Sequence, residues 1–256
     1  MVDHWLKNTL NSCLPQLCLL CGETVSISSD MPLCRHCEGD LPIVGETCQR
    51  CANPMETRLD RLESFLHQPA LFQTRECGQC QSQQPEFDQT IAFFPYLSPF
   101  DHLVQAAKFK GKLPTARLLG QLMAQQLSNC IDLLEDLPSG LLPVPLHPAR
   151  QRERGYNQAH EIALPVAQRL QIKILSNHAT RVVATPPQSS LSLKQRKNNL
   201  QHAFKVNADL SGNHIAIIDD VMTSGATVNA LAKTLKRAGA RRVSVWCFCR
   251  AEPPSL

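Results

Sequence analysis

The sequence predicts an α/β protein, a mostly parallel sheet with flanking helices, preceded by a small cysteine-rich module. Three observations carry this. Eight of the twelve cysteines fall into four C-x-x-C pairs. Beyond about residue 88, apolar strand-like runs alternate with amphipathic helical patterns, which implies parallel strands covered on both faces. Residues 215–227, IAIIDDVMTSGAT, read as a buried strand, a tight loop and a helix start. With 256 residues and 43% hydrophobic content, the chain can bury a core and is expected to fold as a small module over 1–88 and a medium domain over 89–256. No apolar stretch approaches the roughly eighteen residues needed to span a bilayer, and MVDHWLKNTLNSCLPQ is too polar for a signal peptide. A cytoplasmic protein without a membrane span is therefore expected, and its cysteines point to metal rather than disulfides.

The pairs are Cys18/Cys21, Cys34/Cys37, Cys48/Cys51 and Cys77/Cys80. Two sulfurs three residues apart on a tight knuckle can take two corners of a tetrahedron, so four knuckles suit two structural Zn²⁺ sites. Pairing in sequence order closes short local loops; interleaved pairing would satisfy the same spacing. The segment between the last two knuckles, ANPMETRLDRLESFLHQPALFQTRE, is too poor in apolar residues for a core of its own. Metal binding, which contributes on the order of 10 kcal/mol in such modules, is expected to hold residues 1–88 folded. Cys247 and Cys249 alternate along RRVSVWCFCR and read as small buried apolar residues on one strand face.

Along the second region, QTIAFFPY reads as a strand, FDHLVQAAKFKG and TARLLGQLMAQQL as helices, and GLLPVPLHP as a strand. NQAHEIALPVAQRL follows as a helix expected to kink at Pro165, and RRVSVWCFC closes the chain as a last strand. In the central motif, Ile215 to Ile218 form the buried run, and Asp219 and Asp220 are expected at the strand's exposed end. Thr223, Ser224, Gly225, Ala226 and Thr227 are small and mostly hydroxylated, and a helix starts directly after them. Free amides and the positive end of the helix dipole make that loop an anion site into which a phosphate can approach closely. Carboxylates one step upstream can accept hydrogen bonds from an attached ribose. An acidic pair after a strand could also be a metal site of response-regulator type or a solvated turn.

This stretch resembles the fingerprint of the type I phosphoribosyltransferases. The resemblance widens: AAKFKG, PVPLHPARQRERGYNQA, TPPQSSLSLKQRKNNLQHAF and the loop occur in the order found in the ComF/GntX family, behind the cysteine knuckles. That family joins a double zinc ribbon to a phosphoribosyltransferase-like domain and is linked to natural competence. The resemblance implies that Asp219 and Asp220 hold the ribose hydroxyls, that the Thr223–Thr227 loop holds the 5-phosphate, and that the ligand is phosphoribosyl pyrophosphate with Mg²⁺. It implies displacement of pyrophosphate at ribose C1, helped by positioning and charge neutralisation.

Residues 1–140 carry 10 Lys/Arg against 16 Asp/Glu, net −6, while residues 141–256 carry 16 against 6, net +10, making up the chain's +4. Two Zn²⁺ on eight thiolates would add about −4 to the first half. Positive charge concentrates at Arg150, Arg152 and Arg154, at Lys194, Arg196 and Lys197, and at Arg241 and Arg242. Lys108, Arg152, Arg154 and Arg196 are candidates for pyrophosphate or a nucleic-acid backbone, and Tyr156 either stacks on a base or belongs to the core. Two function classes follow. One is a competence-type protein that binds phosphoribosyl pyrophosphate or a related phosphosugar and acts with single-stranded DNA or DNA-handling competence proteins in uptake or utilisation of external DNA. The other is an active phosphoribosyltransferase with a small-molecule acceptor and no DNA binding.

Overall fold

A computed structural model of the chain describes residues 16–25, 31–55, 75–109, 112–131, 134, 136–183 and 202–251. By its internal contacts the chain divides into two compact units, Met1–Pro42 and Ile43–Leu256. The smaller unit carries the first two knuckles and a one-turn helix α1 (Arg35–Gly39). In the first knuckle the chain turns so that the Gly22 amide donates to Cys18 O at 2.9 Å, with Gly22 at φ 78°, a left-handed conformation natural to glycine.

The larger unit opens with the same device. The Ala52 amide donates to Cys48 O at 2.7 Å with Ala52 at φ 52°, so a buried alanine holds the left-handed position that glycine holds in the first knuckle. A second short helix, α2 (Gly78–Ser82), carries Cys80. Four strands then form an all-parallel sheet: β1 (Gln89–Pro95), β2 (Gly140–Pro143), β5 (His214–Met222) and β6 (Arg242–Arg250), in the order β1-β6-β5-β2. The expected parallel sheet is thus present. β3 (Ala179–Arg181) and β4 (Phe204–Val206) add a small antiparallel ribbon that strand-length apolar runs did not signal.

The period-two alternation of buried strands sorts their side chains onto two faces. One face sets Ala92, Ile215, Ile217, Val243, Val245 and Cys247 against Val228, Leu231 and Leu235 of helix α7 (Ala226–Arg237). On β1, β6 and helix α3 (Phe100–Ala106), Phe94, Phe100 and Phe248 pack with ring centroids 4.5, 4.9 and 5.2 Å apart. Helices α4 (Leu113–Cys130) and α6 (Gln158–Leu170) pack on one another. Gly120 makes this possible, because a Cβ there would stand 2.4 Å from Ile162 O and 2.9 Å from Pro165 Cδ. α6 runs unbroken through Pro165, whose ring fills the contact with Gly120. As expected, Cys247 and Cys249 are fully buried in β6. The run GLLPVPLHP stays a strand only to Pro143; β2 is an edge strand whose Val144 amide still donates to Ile218 O, so the N–H that Pro143 lacks falls on the outer side, and a short helix α5 (Pro148–Arg154) follows. No helix among the described residues is long and apolar enough to cross a membrane.

Candidate functional site

β5 and β6 end side by side, and the loop Thr223–Gly225 turns directly from β5 into α7. The loop makes its turn at Gly225, φ 73°, which is the N-cap of α7 and contributes no side-chain cap. The first amides of α7 have no intrahelical partners, the Ala226 amide reaching only Ser224 Oγ at 3.4 Å, and Thr223 and Ser224 are exposed. Amides at a dipole's positive end, with an exposed hydroxyl beside them, suit a phosphate-sized anion.

The acidic pair corrects one expectation. β5 continues through Asp219 and Asp220 to Met222, pairing Val221 with Cys249 and Met222 with Arg250. Asp220 is 5% exposed rather than at an open strand end. Burial and the neighbouring Asp220 carboxylate push the Asp219 carboxyl well above the usual range, and Lys108 pulls it back only in part. Lys108 Nζ stands 3.1 Å from Asp220 Oδ2. The Arg154 guanidinium is lowered by burial and by Arg150 and held up by Asp220, so it too shares the field of the pair. Arg181, at the end of β3, is lowered by burial and Arg150 and held up by Asp219.

Local chemistry explains how these cations arrive. Lys108 sits in the turn after α3, and that turn is pinned by Tyr156, whose hydroxyl lies 2.7 Å from Ala107 O and 3.1 Å from Phe109 O. Tyr156 is thus neither stacked in the open nor part of the deep core; it fixes the backbone that presents Lys108. Tyr156 in turn is placed by the RGYN turn. Gly155 closes α5 at φ 85°, and Asn157 caps α6 by accepting from the Ala159 amide while its Nδ2 donates to Val144 O beyond β2. Arg154 donates to Gln158 Oε1 at 2.8 Å across the same turn. Arg152 is exposed on α5. Arg196, with Lys194 and Lys197, lies outside the described residues.

The fold brings Asp219, Asp220, Lys108, Arg154 and the loop to one end of the sheet. Arg181 was not foreseen, and neither was Arg250. Arg250 ends β6 at 8% exposure and donates to Met222 O and Thr223 O at the root of the loop. An arginine closing an otherwise apolar strand was the signal, since a buried guanidinium has to be satisfied. At the opposite, amino end of the sheet, His214 lies 2.9 Å from Ser244 Oγ and 3.4 Å from Asp136 Oδ2. This imitates a hydrolytic triad, but Ser244 is 2% exposed within the sheet, so the three residues serve packing.

The cysteines form two groups, Cys18/Cys21/Cys34/Cys37 and Cys48/Cys51/Cys77/Cys80, with sulfurs within 4.8 Å of one another in each. This is the sequential pairing. Cys21 and Cys34 sulfurs are 3.7 Å apart, as are those of Cys51 and Cys77. A tetrahedral Zn²⁺ with bonds of about 2.3 Å sets its sulfurs ~3.8 Å apart, so both groups fit that ion. Charge agrees. The Cys51 thiol beside it brings the Cys48 thiol down to about 4, and backbone amides outweigh burial to bring Cys18 to about 6. Burial and the Cys48 and Cys77 sulfurs push Cys80 up to about 12 against a hydrogen bond with Cys51 that lowers it, a crowding that a dication would relieve.

Residues 9–81 match the double zinc ribbon domain family and residues 159–254 the phosphoribosyl transferase domain family. The chain is 31% identical to competence protein F of Haemophilus influenzae, over 85% of this chain and 96% of that protein. It is 33% identical to the DNA utilization protein YhgH of Salmonella typhimurium, over 93% of this chain and 98% of that one. With competence protein ComFC of Streptococcus pneumoniae it shares 24% identity, over 91% and 99% of the two chains.

Proposed function

Since this chain belongs to the competence protein F/ComFC family, we propose that it binds phosphoribosyl pyrophosphate or a related ribose phosphate at the carboxyl end of β5 and takes part in uptake or utilisation of external DNA. The observation that carries the ligand is the convergence of the acidic pair of β5, the anion-seeking loop between β5 and α7, and Lys108, held against Asp220 from the turn after α3. Asp219 and Asp220 accept from the ribose hydroxyls, and the loop amides with Thr223, Ser224 and Thr227 hold the 5-phosphate. Lys108 and Arg154 face the pyrophosphate. The two carboxylates are hard oxygen donors that fit Mg²⁺, which would neutralise pyrophosphate charge when bound with the ligand. Where transfer occurs, the C1–O bond to pyrophosphate breaks as a bond from C1 to the acceptor forms, and the chain's part is to hold the two in line.

The test is a thermal melt with phosphoribosyl pyrophosphate and Mg²⁺. At a hundred times its dissociation constant a ligand adds about 2.7 kcal/mol, worth roughly 5–11 °C for a unit of this size. Asp219→Asn with Asp220→Asn removes that shift. An unshifted parent at millimolar ligand refutes the ligand reading. For DNA, anisotropy with a labelled single strand tests Arg152→Ala, which takes one exposed cation from α5 and reduces the log K against log salt slope by about 0.7 if it meets a phosphate. Absence of binding at low salt would favour a transferase with a small-molecule acceptor.

A further inference from the structure

The second cysteine group and the Thr223–Gly225 loop belong to different elements, one structural and one at the candidate site. Here a single buried side chain joins them. Arg250 Nε donates to Cys51 O at 3.0 Å, and its Nη2 reaches Asn53 Oδ1 at 3.5 Å. Its Nη1 donates to Met222 O and Ala251 O, each at 2.8 Å, and to Thr223 O. Cys51 is a member of the sulfur group, the Asn53 carbonyl accepts from the Cys48 amide at 2.8 Å, and Thr223 is the first residue of the loop. No carboxylate pairs with Arg250 among the described residues; its buried charge is satisfied by carbonyl and amide oxygens from both sides at once. A guanidinium can do this because its five donors form a rigid planar fork. If either set of oxygens moves, a buried cation is left short of partners.

Packing follows the same route. Cys48, Cys51 and Ala52 share one continuous apolar cluster with Met222 and with Val228 of α7. Met222 Cε lies where it would stand 2.8 Å from a Cβ at Gly225, so the knuckle backs the residue on which the loop's left-handed turn rests.

We propose that Arg250 is a positioning residue that makes the Cys48/Cys51/Cys77/Cys80 metal site a support of the anion loop, so that metal there governs loop order and phosphate binding while metal at Cys18/Cys21/Cys34/Cys37 does not. The ligand half rests on the phosphoribosyl reading above; the coupling itself does not. Coupling is reciprocal, so a ligand on the loop holds the second metal site as firmly as the metal holds the loop.

The experiment is amide hydrogen exchange at the bonded amides that frame the loop, those of Ala226, Asn229 and Ala251, which donate to Ser224 Oγ, Gly225 O and Met222 O, in the full-length, zinc-loaded protein, with zinc counted by elemental analysis. Cys77→Ser, which loses the second ion, is expected to exchange in the loop about tenfold faster, and Cys18→Ser, which loses the first, at the parent's rate. Arg250→Lys keeps all eight thiols and two zinc ions, yet its ammonium cannot span both sets of oxygens, so its loop also exchanges about tenfold faster. This variant stands in where Cys77→Ser fails to fold by circular dichroism. Unchanged loop exchange in Arg250→Lys, or equal acceleration in Cys18→Ser and Cys77→Ser, overturns the coupling. In the parent, phosphoribosyl pyrophosphate with Mg²⁺ is expected to slow extraction of one zinc ion, not both, by a chromophoric chelator. If it slows neither while loop exchange still follows Cys77, the phosphoribosyl reading fails and the coupling stands.

Discussion

Gly225→Ala tests whether the loop's backbone, rather than its hydroxyls, makes the anion site. Gly225 sits at φ 73° and ψ 0°, where an L side chain costs about 1–2 kcal/mol. The new Cβ would also stand 2.8 Å from Met222 Cε. That atom ends a flexible side chain, but Met222 is 3% exposed and packed against the second knuckle, so moving it costs about 1 kcal/mol more. Alanine restricts the unfolded chain and returns roughly 0.4–1 kcal/mol. The net loss is about 1–3 kcal/mol, which lowers the melting temperature by roughly 2–10 °C. If the loop relaxes to escape the strain, its amides no longer converge on one point, and affinity for phosphoribosyl pyrophosphate falls by about tenfold or more. Scanning calorimetry with and without ligand reads both effects. Gly225→Asn, which tolerates the left-handed region better, is expected to lose less. An alanine variant that melts within a degree of the parent and keeps the full ligand shift would show that the left-handed turn is not required.

Tyr156→Phe keeps the ring but removes the hydroxyl that holds Ala107 O and Phe109 O, so stability falls by about 1 kcal/mol and, as the Lys108 turn loosens, ligand affinity falls about fivefold. Isothermal titration checks this, and unchanged affinity would return Tyr156 to a stacking or packing role. Asp219→Asn separates stability from function. The folded carboxyl titrates above its unfolded value of 3.8, so the parent loses stability as pH rises through the raised folded value. The amide variant escapes that loss, and melts at neutral pH are expected to show it more stable than the parent while lacking the ligand-induced shift. A variant that melts lower at neutral pH would mean that Asp219 is stabilised as an anion by a group other than those named.

What could be read from the amino acids alone was what depends on near neighbours. C-x-x-C spacing determines which sulfurs share a knuckle, and short loop closure favours the pairing that the fold adopts. The apolar run, the hydroxylated turn and the helix after it are local signals, and they place the loop at a strand's carboxyl end. Alternation puts Cys247 and Cys249 on one face of β6, whereas their burial comes from a strand covered on both faces, as its apolar run already indicates. Tertiary structure decided what no local pattern encodes. Asp219 and Asp220 lie within β5 because β6 carries the ladder past them to Arg250, a length set by the partner strand. Lys108 meets Asp220, Tyr156 holds the Lys108 turn, and Arg250 ties Cys51 to Thr223 through contacts between residues far apart in the chain. Each depends on where two separately determined elements come to rest, and burial then forces the polar groups trapped between them to find one another.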